Sequence, residues 1–221
     1  DSSDSSQRMT RCAAAVRPPV SYHRRMATFA DKPTLEGERV RLRPMVAGDA
    51  ASLWSDSRDA ESNRLTGTHA EFTEEQIDRW CAGRADHDDR LDLAVVDPAS
   101  GAWLGEVVVN DWDPDNRSCS FRIALSPGAQ DRGVGTEATR LLVTYVFDQI
   151  AVPAVNRISL ELYDFNPRAI AVYEKIGFVR EGVLRQALFW DGEYHDAILM
   201  SMLRSDRAAH RPGDPSAGAL S

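Results

Sequence analysis

Polar and apolar positions alternate through Arg39-Val-Arg-Leu-Arg-Pro44, which predicts a half-buried strand. Asp49 can cap a short helix from Ala50 to about Ser57. Thr73-Glu-Glu-Gln76 is a capping box, opening a helix that reaches Trp80 and runs on toward Ala85. Three apolar-rich runs follow, Leu91–Val96, Trp103–Trp112 and Ser118–Leu125. The turns Asp97-Pro-Ala-Ser-Gly101 and Asp113-Pro-Asp-Asn116 separate them, so the middle of the chain is expected to be an antiparallel meander.

The period then changes. A loop from Ser126 to Asp131 leads through Arg132-Gly-Val-Gly135 into Thr136–Ile150, whose apolar positions 141, 142, 145, 146 and 150 form one helical stripe. Asn156–Tyr163 is a further strand. Asn166-Pro167 opens a second helix, Asn as N-cap and Pro at the first helical position, and Ile176-Gly177 closes it. Two last strands, about 179–188 and 194–203, flank Trp190-Asp-Gly192. This order predicts an α+β (mixed α/β) sheet with helices packed on its faces.

The ends lack periodicity. Residues 1–33 are expected to be a flexible N-terminal segment, 34–204 one domain, and 205–221 a flexible tail. Met26-Ala-Thr28 resembles a translation start. The segment before it has no apolar run of the secretory kind.

Charge narrows the function. The 221-residue chain carries a net −8, and its two ends hold +3 (residues 1–25) and +1 (residues 207–221), leaving −12 on the segment between. Such a body repels phosphate, which excludes a nucleic-acid binder on bulk charge and suits a cationic partner. No apolar run approaches the length of a membrane span. Cys12, Cys81 and Cys119 form no CxxC and the five histidines form no HxxxH, so neither a disulfide framework nor a metal site is expected. A reducing cytoplasm is the expected compartment.

Two stretches carry chemistry. In Gln130-Asp-Arg-Gly133-Val-Gly135-Thr136, glycines let backbone amides approach an anion at a helix N-terminus, and Arg132 adds a forked donor. By itself this is a phosphate site or a plain glycine turn. The second stretch is Asn166-Pro-Arg-Ala-Ile-Ala-Val-Tyr173-Glu-Lys-Ile-Gly177-Phe178 on the next strand–helix unit. Together they resemble the GNAT superfamily of acyl-CoA-dependent N-acyltransferases. Gln-x-x-Gly-x-Gly is similar to its pyrophosphate loop, and Asn-x-x-Ala-x-x-x-Tyr-x-x-x-Gly-Phe to its thiol-end helix. Thr34-Leu-Glu-Gly-Glu-Arg39, Leu42-Arg-Pro44 and Trp190-Asp-Gly-x-Tyr194-x-Asp196 resemble the branch that contains the ribosomal-protein N-terminal acetyltransferases.

The resemblance implies a mostly antiparallel sheet of about seven strands splayed into a V, with acetyl-CoA as co-substrate. Its pantetheine would pair with backbone at Ile123, Ala124 and Leu125. Its phosphates would meet Gln130, Asp131, Arg132, Gly133, Val134, Gly135 and Thr136, with Arg140 and Arg168 nearby. Asn166 is an N-cap, a pantetheine contact, or both. Tyr173 would protonate the departing thiolate, its bland alternative being a core aromatic. Glu106, Glu161 and Asp164 are candidates to take the amine proton, Glu106 foremost, its alternative being a solvent-facing strand residue. Trp112 and Trp190 are expected to line the acceptor pocket. Ser126, Ser159 and Cys119 have no triad context. The acceptor is a primary amine, on a protein N-terminus or on a small molecule such as an antibiotic, polyamine or amino-acid derivative. Succinyl transfer and a non-catalytic acyl-CoA sensor are the other readings. Homodimers are common in that branch, though no interface is legible here.

Overall fold

The computed structural model describes residues 27–130, 132–151 and 153–209. Eight strands form one sheet: β1 (Leu35–Glu36), β2 (Arg41–Pro44), β3 (Leu91–Val96), β4 (Trp103–Asp113), β5 (Ser118–Leu125), β6 (Arg157–Tyr163), β7 (Val179–Trp190) and β8 (Glu193–Leu203). The spatial order is β1-β2-β3-β4-β5-β6-β8-β7. Every neighbouring pair is antiparallel except β5 and β6. The expected α+β architecture is therefore present, with one strand more than anticipated. Two-residue β1 is too short to show a pattern.

Helices cover both faces. On one face α4 (Val134–Gln149) and α5 (Pro167–Ile176) bury Leu142, Val146 and Tyr173 against Val107, Val109, Phe121 and Ile158 of the sheet. On the other, α1 (Ala50–Ser57) and α3 (Glu74–Gly83) enclose a smaller cluster of Met45, Ala50, Ile77 and Cys81 with Trp54, Trp80 and Trp103. The Thr73 capping box forms as its spacing predicts, with Gln76 N–H donating to Thr73 Oγ1 at 3.2 Å and Thr73 N–H to Gln76 Oε1 at 2.7 Å. Helix α2 (Ala60–Thr66) was not foreseen, since it buries no residue and shows no apolar stripe. Its ends hold it, with Asp59 as N-cap and left-handed Gly67 as C-cap.

The packed body starts before residue 34 and runs beyond 204. Ala27 bridges to Ile150, Phe29 is buried in the main core, and Lys32 donates to the carbonyls of Phe29 and Arg90 at 2.9 and 2.6 Å. Helix α6 (Arg204–Ala209) continues from β8. One buried aromatic ring in an otherwise polar stretch carries no period, so the N-terminal boundary was not legible.

Gly105 on β4 sets how closely β4 and β5 approach. Its φ is 139°, and a Cβ there would lie 2.8 Å from Leu125 Cα and overlap the Ala124 carbonyl oxygen. Next to it the β3–β4 register skips Leu104, a β-bulge. Gly105→Ala is expected to cost about 3 kcal/mol or more through strain and overpacking, lowering Tm by roughly 6–12 °C. An unchanged melting curve would show that the two strands separate there without penalty.

Candidate active site

The site grows from a break in the sheet. β5 and β6 pair only at Ser118↔Arg157, Cys119↔Ile158 and Ser120↔Ser159. From Phe121 to Leu125 the β6-facing edge of β5 has no strand partner, while β6 stays paired with β8 through Tyr163. The strands splay into a V whose open end holds Ile123, Ala124 and Leu125 on one wall. Backbone on that edge is free to bond an extended ligand as an added strand would.

Helix α4 starts at the open end. Gly133 is its N-cap in the left-handed region (φ 76°), with no side chain capping the helix. Its first-turn N–H groups, at Val134, Gly135 and Thr136, lack intrahelical acceptors and carry the positive end of the helix dipole. A Cβ at Gly135 would sit 3.3 Å from Leu125 Cδ1, so the glycine keeps open the space between helix terminus and strand end. That cradle, together with the unpaired edge, fits a cofactor having an extended arm and phosphates. Arg132 lines a cavity of about 320 Å³ beside this terminus, with Arg39, Asp97, Leu104 and Val134. Asp131 lies outside the described residues. Gln130 Oε1 accepts from Arg168 of α5 at 3.4 Å, tying the glycine loop to the second helix.

Asn166 is the N-cap of α5, its Oδ1 accepting from Ala169 N–H at 3.1 Å. Tyr173 lies on the buried face of the same helix. Its ring meets Phe121 edge-on at 6.2 Å and Phe178 at 5.6 Å between centroids. Phe121 is the first residue past the last β5–β6 pair, so Tyr173 stands under the point where the V opens. Burial pushes its phenol well above the ordinary tyrosine range. The group therefore stays protonated throughout the working pH range, as a proton donor must.

Glu106 lies on the opposite face, cross-strand from Ala94 and Ala124. It is 5% exposed, which corrects the alternative of a solvent-facing strand residue. Arg122 holds Oε1 at 3.2 Å, and Oε2 is buried without a partner. Desolvation raises its pKa, Arg122 opposes that, and Asp92 adds to it. A carboxyl so placed titrates above the usual glutamate range, nearer the value a general base needs. Beyond it, Asp56 of α1 accepts from Trp103 Nε1 at 2.7 Å and from Ser126 Oγ at 2.5 Å. Asp56 and Asp59 also line a surface cavity of about 380 Å³ with Ser55, Arg58 and Pro127.

Trp190, at the tip of the β7–β8 hairpin, stacks on His69 at 4.7 Å. His69 follows α2, whose capping Gly67 packs against the Tyr163 ring at the open end of β6. Trp190 thus stands at the mouth. Trp112 does not, which corrects that expectation. It lies in the register irregularity beside the β4–β5 turn, at the closed end of the V, and packs on Phe29 at 5.0 Å. It stands seven positions along β4 from Gly105, roughly 23 Å. A turn-flanking tryptophan looks the same in sequence at either end of a strand. The mouth also holds side chains that no motif flagged. Arg64 lies over the Phe165 ring at 4.4 Å, and His195 Nδ1 is 3.3 Å from Asp164 Oδ1. Among the described residues no group of His, Cys, Asp and Glu could hold a metal ion.

Comparison with known proteins agrees with this geometry. A profile of the acetyltransferase (GNAT) domain matches residues 39–179. The chain is 26% identical over 171 residues to the prophage-derived uncharacterized N-acetyltransferase YokL of Bacillus subtilis, covering 77% of this chain and 93% of that one. It is 30% identical over 119 residues to the spermidine N(1)-acetyltransferase of Vibrio cholerae (54% and 67%). It is 35% identical over 113 residues to the [ribosomal protein bS18]-alanine N-acetyltransferase of Salmonella typhimurium (51% and 69%). Among solved structures, the V. cholerae spermidine N-acetyltransferase in complex with CoA and spermine shares the fold, with a TM-score of 0.70 at 23% identity over 78% of this chain and 99% of that one. A domain profile spanning most of the described body, on a sheet that splays where the motifs require it, establishes that the chain belongs to the GNAT family of acetyltransferases.

Proposed function

We propose that this N-acetyltransferase moves an acetyl group directly from acetyl-CoA to the primary amine of a cationic acceptor, within a ternary complex in the cytoplasm. The observation that carries this reading is the unpaired β5 edge from Phe121 to Leu125, with an uncapped helix terminus at one end and Tyr173 beneath the other. When bound, acetyl-CoA supplies an activated acyl group and a thiol leaving group.

The chain's own residues do the rest. Backbone at Ile123, Ala124 and Leu125 holds the extended arm, and its free N–H groups are donors for the acyl oxygen. The α4 amides with Arg132 hold the phosphates. Asn166 adds a side-chain amide beside the arm, and Arg168 braces Gln130. Glu106 takes the amine proton on one face of the sheet, and Tyr173 returns a proton to the leaving sulfur on the other. Trp190 lines the acceptor's approach.

The preferred acceptor is a protein N-terminal α-amine, as for the Salmonella relative. A polyamine, as for the Vibrio relative, is favoured by one observation, the carboxylates Asp56, Asp59 and Glu106 on the amine side. Thiol release from acetyl-CoA, measured on a panel of N-terminal peptides, polyamines and aminoglycosides, tests this. Release that depends on a peptide α-amine supports the first reading. Release with polyamines alone moves the acceptor to the second. Binding of acetyl-CoA with no release on any amine would leave a sensor rather than an enzyme.

A further inference from the structure

The turn between β1 and β2 is pressed onto the N-terminus of α4. Within it Gly37 N–H donates to Val40 O at 2.9 Å. Glu137, in the first turn of α4, accepts from the backbone N–H groups of Glu38 and Arg39, both at 2.8 Å. A Cβ at Gly37 would meet Glu137 Oε1 at 2.9 Å and Val40 O at 2.8 Å, so only glycine lets the turn come this close.

The clamp delivers Arg39 to the glycine loop. Its Cδ and Nε lie 3.5 and 3.6 Å from where a Cβ of Gly133 would stand. Arg39 and Arg132 line the same cavity of about 320 Å³. Among the described residues neither guanidinium forms an ion pair. Acceptors are close, but most of their oxygens are engaged. Oδ1 of the Asp97 carboxylate, in the same cavity, accepts from Ala99 N–H, Ser100 N–H and Ser100 Oγ in its own turn, and Arg132 acts on that carboxylate only through space, beyond ion-pair distance. The Glu137 carboxylate is turned onto two backbone donors and does not compete for the arginines. In a chain of net −8, two arginines that form no ion pair among the described residues, at an uncapped helix terminus, suit an anion from outside.

We infer that Arg39, far from both glycine-loop and tyrosine motifs in sequence, is a phosphate-binding residue for the nucleotide end of acetyl-CoA, and that Glu137 positions it by clamping the β1–β2 turn. This rests on the acetyl-CoA reading above. It adds a second guanidinium opposite Arg132 and explains a carboxylate beside an anion site, which on charge alone would weaken binding.

The test is calorimetric binding of CoA and of dephospho-CoA, without acceptor, to the wild-type chain and to Arg39→Ala, Arg39→Lys and Glu137→Ala. Wild type should bind CoA; if it does not, the acetyl-CoA reading itself fails. Arg39→Ala should weaken CoA binding about tenfold and flatten its salt dependence, with Tm unchanged because the side chain is exposed and has no hydrogen-bond or ion-pair partner among the described residues. Arg39→Lys should restore part of the loss. Glu137→Ala should weaken binding in the same direction, and the double variant should lose less than the two effects combined. Loss confined to CoA assigns Arg39 to the ribose 3′-phosphate, and equal loss with dephospho-CoA assigns it to the pyrophosphate. Wild-type affinity for both ligands in Arg39→Ala would overturn the inference.

Discussion

Tyr173→Phe is expected to lower kcat about 10²-fold while leaving CoA affinity and Tm close to wild type. The variant keeps the ring that packs edge-on against Phe121 and against Phe178. It removes only the hydroxyl, for which the described residues provide no hydrogen-bond partner, so little stability is lost. Burial holds the phenol above its ordinary range, so Tyr173 contributes no alkaline limb to the rate profile near neutrality. Its contribution is a proton in place when the thiolate departs. A thiol leaving group whose own pKa is below the working pH should need Tyr173 least, and the defect should shrink with such a donor. Wild-type turnover in Tyr173→Phe would make the residue a core aromatic and nothing more.

Glu106→Gln should have a larger effect on rate, roughly 10²–10⁴-fold on kcat/KM near neutral pH, together with a gain in stability. The two effects share a cause. The folded protein holds this carboxyl in a desolvated place with one oxygen unpartnered, which raises its pKa. A raised folded pKa means that the group's favourable contribution is complete below its unfolded value of about 4.5 and is lost as pH rises through the folded value. Once pH exceeds the folded value, the wild type therefore carries a buried charge that the glutamine variant lacks. Arg122, half exposed, can be solvated when its partner is neutral. Glu106→Gln should thus be more stable than wild type above that folded value, by roughly 1–3 kcal/mol, and the gap should close toward pH 4. The acidic limb of the kcat/KM profile should lose the Glu106 component, leaving the titration of the amine itself. Full activity with an unchanged limb would assign proton removal to water or to another group.

Much of this was legible in the sequence because the relevant physics is local. Apolar runs between turn signals placed the meander, and caps placed α3 and α5. Two glycines before an apolar stripe placed the helix terminus that faces the V. The spacing of Asn166 and Tyr173 put one at the mouth of α5 and the other on its buried face. What escaped depends on tertiary contact. Helix α2 is fixed by its two caps and by the Tyr163 ring, not by an apolar period. Phe29 joins the core through a single side chain. Trp112 and Trp190 share a strand-end context, and only strand order decides which is at the open end. The burial of Glu106 arises because α1 and α3 close over that face, which alternation along β4 alone cannot show. Arg39 is distant in sequence from the loop it joins, and the signal that could have found it is Gly37 followed by an unpaired arginine.

The most direct measurement is amide hydrogen exchange, followed residue by residue with and without saturating CoA. If the gap between β5 and β6 is the cofactor cleft, amides along Phe121–Leu125 and at Gly133–Thr136 should gain protection, while Ser118–Ser120, already paired with β6, should not change. Bound CoA with unchanged exchange along Phe121–Leu125 would contradict the account.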